Sequence, residues 1–174
     1  MSFKEVKFLK LDFHAYNPYL TLMKQSAGIL LFRRKDQQVE FFLVHPGGPF
    51  FAKKDIGFWT VPKGELNDGE EALTAAVREF KEETGQSLTG DFIELTPVVQ
   101  KGGKKVLCWA VEGDLDSSTI VSNTFEIEWP PRSGKKQSFA EIDKAEWFAY
   151  NNAIKHINEK QVALLDELKS KLSR

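Results

Sequence analysis

Gly64-Glu-Leu-Asn-Asp-Gly-Glu-Glu-Ala-Leu-Thr-Ala-Ala-Val-Arg-Glu-Phe-Lys-Glu-Glu-Thr-Gly85 is the stretch on which the reading of this 174-residue chain turns. From Glu70 to Thr84 the apolar residues Leu73, Ala76, Val77 and Phe80 fall at i, i+3, i+4 and i+7. That spacing predicts an amphipathic helix, and Gly85 supplies its stop. At about 100° per residue, Glu79, Glu82 and Glu83 project within about 100° of one another, beside the apolar stripe. Like charges at such spacing repel, and apolar surface next to them lowers the dielectric, so a positive charge is expected in their midst. Hard carboxylate oxygens suit Mg2+ or Mn2+, ions that also hold substrate phosphates. Arg78, on the outer flank, is placed to pair with Glu82 one turn on and Glu71 two turns back, orienting a ligand. A plain solvated helix face competes with this reading on the helix alone.

Working outward, Ala27–Arg34 and Val39–His45 are β-rich runs joined by the polar Lys35-Asp-Gln-Gln, which predicts a hairpin. A third strand is expected over Phe58–Val61, ending at Pro62, after a long loop from Pro46 to Gly57. Phe92–Val99 and Lys105–Val111 read as another hairpin turning at Gly102-Gly103. Thr124–Trp129 reads as a strand entering the basic loop Pro130–Lys136, Ala145–Phe148 as a further strand, and Asn152–Leu172 as a terminal helix. Strands around one helix, closed by another, make an α+β sandwich. The first 22 residues are expected to be an N-terminal extension on a domain spanning residues 23–174.

Composition bounds the rest. A 41% hydrophobic content builds a core, which excludes a disordered tail or a fibre. Lys and Arg number 24 against 25 Asp and Glu, so no overall charge draws the chain to nucleic acid or an anionic membrane. Apolar runs such as Ala27–Phe32 are far below the roughly 20 residues of a membrane span, and a cytoplasmic location is expected. Cys108 is the single cysteine and sits in an apolar strand, where it reads as a buried small hydrophobe.

The order Gly64, Glu70, Arg78-Glu79, Phe80, Glu82-Glu83 and Gly85 resembles the Nudix box. One position departs from the pattern: its final hydrophobic residue is here Gln86. The resemblance, which covers most of Met23–Leu172, implies an α/β/α sandwich with a mixed sheet. It also implies cleavage of a nucleoside diphosphate linked to another group. In that family Glu79, Glu82 and Glu83 would bind Mg2+ or Mn2+, with a backbone carbonyl near Gly64, while Glu70 and Arg78 support the box. A carboxylate from a late loop commonly serves as base or additional ligand; Glu141, six residues before Trp147, fits that placement, with Glu126 and Glu128 as rivals.

Pro62-Lys63-Gly64 resembles the version of the box in Nudix enzymes acting on dinucleoside and diphosphoinositol polyphosphates. Lys63 would lie where a phosphate chain passes, and Lys53, Lys54 and Arg132 stand in two loops that flank such a site. His45–Lys54 and the segment from Phe125 resemble a bacterial group of predicted nucleotide pyrophosphohydrolases. The implied substrate is a small nucleotide, with diadenosine tetraphosphate leading and nucleoside triphosphates next, for a monomer or homodimer. The alternative is a non-catalytic nucleotide sensor on the same fold, although such proteins typically lose box glutamates and none is missing here. Two short basic loops give nucleic acid little support.

Overall fold

The computed structural model describes residues 25–173, so the expected extension over residues 1–22 lies outside the described residues. Strand β1 (Gln25–Lys35) is buried along most of its length on both faces, as its unbroken apolar run requires of a central strand. It turns through Asp36 and Gln37, both at positive φ, into β2 (Gln38–Pro46), making the expected hairpin. Next come β3 (Lys63–Glu65), α1 (Ala72–Thr84), β4 (Ile93–Val99) and β5 (Lys105–Glu112). The remaining elements are β6 (Thr124–Glu128), β7 (Lys136–Ala140), β8 (Ile142–Ala149), α2 (Tyr150–His156) and α3 (Val162–Leu172).

The main sheet runs β4-β5-β1-β2-β8, with β1 parallel to β5 and the other pairs antiparallel. Strands β1 and β2 pair only from Phe32↔Phe41 to the turn, then diverge. Residues 60–65 fill the gap. Ser26–Gly28 pair with Glu65–Lys63, the Ile29 N–H donates to the Pro62 carbonyl at 3.0 Å, and Val44 and Thr60 exchange two bonds of 2.9 Å. The close approach requires glycine at position 28, where a Cβ would come within 2.6 Å of Lys63 Cβ and the Pro62 oxygen.

Two apolar layers sandwich this sheet. Ile29, Leu31, Phe42 and Val44 pack under Ala75, Ala76 and Phe80 of α1. On the other face Leu30, Phe32, Phe41 and Leu43 meet Ala153, Leu164, Leu165 and Leu168 of α2 and α3. The mixed sheet between helical layers is the expected α+β architecture, and Cys108 lies in the second layer, its thiol pushed up to about 12 by burial. Among the described residues no helix is long and apolar enough to cross a membrane.

Four local expectations are corrected. Phe58–Val61 is not a strand in its own right: Trp59 and Thr60 make isolated bridges to Ile157 and Val44, and the strand proper begins at Lys63, past Pro62, which has no N–H to donate. The terminal helix is broken. Ile157 leaves it to bridge Trp59, and Asn158 caps a short 3-10 turn through the Lys160 N–H before α3 begins. Lys136 belongs to β7 rather than to a loop, and β8 extends beyond Ala145–Phe148 at both ends. At the edge of the sheet, a register shift between Leu95 and Val98 frees the Thr96 N–H, which donates to Glu167 of α3 at 2.8 Å.

The break in the terminal helix delivers Gln161 into the core, fully buried, where its Oε1 accepts from the Val61 N–H at 3.1 Å and its amide bonds the Thr60 hydroxyl. Gln161→Leu leaves that N–H and hydroxyl without their partner. It is expected to cost about 1–3 kcal/mol, read as a lower urea midpoint with an unchanged slope.

Candidate active site

Helix α1 begins at Ala72, and the acidic residues before it divide the work. Glu71 is the N-cap, its carboxylate accepting from the Thr74 N–H at 2.8 Å. Glu70 turns the other way, accepts from the Asn67 N–H at 2.9 Å and receives Arg78 through Nε at 2.8 Å and Nη2 at 2.9 Å. The expected Arg78–Glu71 pair is therefore an Arg78–Glu70 pair, because Glu71 is consumed by the cap. Arg78 also donates through Nη1 to Glu79 at 2.7 Å and Glu82 at 3.0 Å, and through Nη2 to the Glu65 carbonyl at 3.1 Å. One planar guanidinium thus ties the loop before α1 to the acidic face of the helix. Its hold draws the half-buried Glu70 carboxyl down to about 2.

Glu83 has a different setting. It is largely enclosed, and its Oε2 accepts from the backbone N–H of Lys63 at 2.9 Å. Burial pushes its carboxyl up to about 7; the Lys63 charge and N–H oppose this, and the charges of Glu79 and Glu141 add to it. Glu79 is also raised, first by burial and then by Glu82 and Glu141, against the pull of Arg78. The charge of the half-buried Lys63 acts on both glutamates, and burial lowers its pKa. Gly64 completes the contact surface: a Cβ there would overlap the Glu79 carboxylate, so the loop and helix meet with no room for a side chain.

Of the three late carboxylates, Glu141 is the one whose charge acts on both Glu79 and Glu83. It stands between β7 and β8, and its N–H donates to the Asn123 carbonyl at 2.8 Å, while the Asn123 N–H donates to the Glu82 carbonyl at 3.1 Å. The chain before β6 is thereby fastened to the acidic end of α1. Glu126 and Glu128 share the exposed face of β6, and Glu128 is spent on the Gly134 N–H at 2.9 Å.

The flanking cations are not drawn into this cluster. Lys54 lies over the rings of Phe51 and Phe58 at 5.2 and 4.9 Å, Lys53 is exposed, and Arg132 is exposed at positive φ in the β6–β7 turn. Sequence reasoning missed His45. Its buried ring sets Nδ1 2.6 Å from Asp143 and Nε2 2.8 Å from the Lys54 carbonyl, tethering the loop after β2 to β8. A lone histidine at a strand end carries no signal of such a role.

Among the described residues, no three carboxylate, imidazole or thiol groups converge closely enough to hold a metal ion by themselves. Arg78 instead occupies Glu79 and Glu82. The chemistry of the donors nevertheless fits a hard cation: burial first, and the neighbouring carboxylate charges after it, hold Glu79 and Glu83 above their ordinary value despite Arg78 and Lys63.

The chain is 34% identical over 100 residues to bis(5'-nucleosyl)-tetraphosphatase [asymmetrical] of Rattus norvegicus, covering 51% of this chain and 64% of that protein. It is 35% identical over 114 residues to Nudix hydrolase 7 of Arabidopsis thaliana, covering 61% and 38%. The chain thus spans less than two thirds of the length of these curated relatives. In fold it resembles a C. elegans Ap4A hydrolase binary complex at a TM-score of 0.60 and 23% identity, covering 86% of this chain and 98% of that one. The NUDIX domain of Shewanella oneidensis NrtR complexed with ADP ribose is similar in fold at 0.62 and 16%, covering 91% and 94%. The model of the NUDIX domain matches residues 22–168, nearly the whole sequence, and this chain belongs to that family.

Proposed function

We propose that this chain hydrolyses a phosphoanhydride bond of a nucleoside polyphosphate with the help of Mg2+ or Mn2+, diadenosine tetraphosphate being the leading substrate. The observation that carries the reading is the gathering of acidic side chains where the loop meets α1: Glu83 on the Lys63 N–H, Glu79 against Gly64, and Glu141 on a segment fastened through Asn123 to Glu82. The similarity to a rat protein named as an asymmetrical tetraphosphatase supports the choice of substrate.

Glu79, Glu82 and Glu83, with the Gly64 carbonyl, would hold the cation. Once bound, such an ion neutralises bridging phosphates and lowers the pKa of an attacking water. The protein's own part is to place charge. Lys63 steadies Glu83 through its N–H and ammonium, and Arg78 fixes the helix against its loop while sharing Glu79 and Glu82. Glu141 takes the proton of the attacking water as oxygen bonds to phosphorus and the anhydride oxygen departs on the other fragment. Lys53, Lys54 and Arg132 are kept as outer contacts for a long phosphate chain.

The deciding experiment incubates the protein with Mg2+ and a panel of nucleotides and separates the products. Diadenosine tetraphosphate is expected to give AMP plus ATP with the highest kcat/KM. Two ADP, or a clear preference for a triphosphate or a sugar-linked diphosphate, overturns the substrate while leaving phosphoanhydride chemistry intact. No turnover of any phosphoanhydride overturns the activity.

Glu141→Gln is expected to lower turnover by about a hundredfold or more, the scale of a lost general base. Glu126→Gln and Glu128→Gln, on the exposed strand face, should stay near the parent rate. Parallel rate measurements decide among the three.

Glu83 also ties stability to pH. Its carboxyl sits at about 7 when folded against an ordinary 4.5, so the folded state is favoured below 4.5 and loses that advantage as pH rises through about 7. A bound Mg2+ would offset the charge that Glu83 gains above that pH. Its addition should therefore raise Tm by a few degrees more at pH 8 than at pH 5.5, and Glu83→Gln should remove most of that difference while abolishing turnover in a folded protein.

A further inference from the structure

The loop after β2 runs lengthwise along the β6–β7 hairpin. At the root, the Gly47 N–H donates to the Glu141 carbonyl at 2.8 Å, and a Cβ on Gly47 would overlap the Ala140 carbonyl. One residue on, a Cβ on Gly48 would come within 2.9 Å of the Phe125 ring. At the tip, Phe50 meets Trp129 edge-to-face with ring centroids 5.4 Å apart. Alternation along β6 puts Phe125, Ile127 and Trp129 on the face toward this loop and Glu126 and Glu128 on the other. Phe50 is 59% exposed, an unusual placement for a large apolar ring beside another aromatic.

The root of this strip is the carboxylate cluster. Asn123 is bonded to Glu82 and Glu141, and from there to Trp129 the strand climbs roughly 17–20 Å, at about 3.3 Å per residue. A polyphosphate held at the cluster and extended along the hairpin would bring its far nucleoside to the two rings, with the exposed cations Arg132 and Lys135 in the turn beside them.

We propose that Phe50 and Trp129 form a stacking site for a nucleobase, the two rings parting to take a planar base between them. The rings stand on separately anchored segments, one tethered by His45 to β8 and the other on a hairpin outside the main sheet, which lets the gap between them change without disturbing the core. Stacking accepts any base, so this site adds affinity for a nucleoside at the end of the chain and leaves base selection open. The inference rests on the reading of the cluster as a polyphosphate site.

Two measurements separate failure of this inference from failure of that reading. The first is binding, with no turnover needed. AMP is expected to quench tryptophan fluorescence saturably in the parent protein, and Trp129→Phe should lose that quenching while remaining folded by circular dichroism. Ribose 5-phosphate, which has no base, should not quench either protein. The second is kinetic. Phe50→Ala and Trp129→Leu should each raise KM for diadenosine tetraphosphate about tenfold, with a smaller change in kcat. The inhibition constant of inorganic tripolyphosphate, which has no base, should stay within about twofold. Retained quenching in Trp129→Phe, no quenching in the parent, or equal losses for the based and base-free ligands overturns the stacking site. If diadenosine tetraphosphate is not hydrolysed while AMP quenching still depends on Trp129, the substrate reading fails and the base site stands.

Discussion

The divergence of β1 from β2 and the filling of the gap by residues 60–65 is the constraint on which the site depends. A segment wedged between two strands is fixed by backbone bonds on both sides, so Lys63 and Gly64 reach α1 at a set height. Gln161 closes the wedge from below by bonding the Val61 N–H and the Thr60 hydroxyl within the core. Glycine at 28 lets β3 approach β1, and glycine at 64 lets the Glu79 carboxylate rest on the loop. The acidic face of α1 is thus presented to a rigid backbone rather than to open solvent.

That rigidity explains the electrostatics. A flexible acidic helix would spread its charges into water, and its carboxyls would titrate in the ordinary range. Here Glu83 is enclosed and held by a backbone N–H, Glu79 is pinned between Arg78 and Gly64, and Glu141 arrives from a segment bolted to the end of the same helix. Each contact is modest in energy, but together they keep like charges close. Arg78 answers part of the repulsion and Lys63 another part, and the remainder adds to burial in holding Glu79 and Glu83 above their ordinary carboxyl value.

Much of this was legible in the residues. Period and punctuation gave the β1–β2 and β4–β5 hairpins and α1 with its Gly85 stop, because each is decided by local spacing and turn chemistry. What escaped was decided by distant partners. The pattern from Asn152 to Leu172 is helical throughout, yet Trp59 pulls Ile157 out of the helix and Thr60 draws Gln161 inward. Glu70 and Glu71 are equivalent by spacing, and the cap decided which of them Arg78 meets. For the site, the box spacing singled out Glu79, Glu82 and Glu83. The tether at His45 and the path of the loop along the hairpin rest on contacts between segments nearly a hundred residues apart, which no local pattern encodes.

The register shift in β4 bears on how copies of the chain meet. An open sheet edge invites another strand to add to it, by way of its unpaired N–H and C=O groups. At this edge Pro97 has no N–H to offer, the ladder is broken between Leu95 and Val98, and the Thr96 N–H is already taken by Glu167. An incoming strand would find an interrupted template bordered by a carboxylate. Edge-to-edge growth into ribbons or fibres is thereby obstructed on the β4 side, and copies of this chain would not join by extending the sheet there.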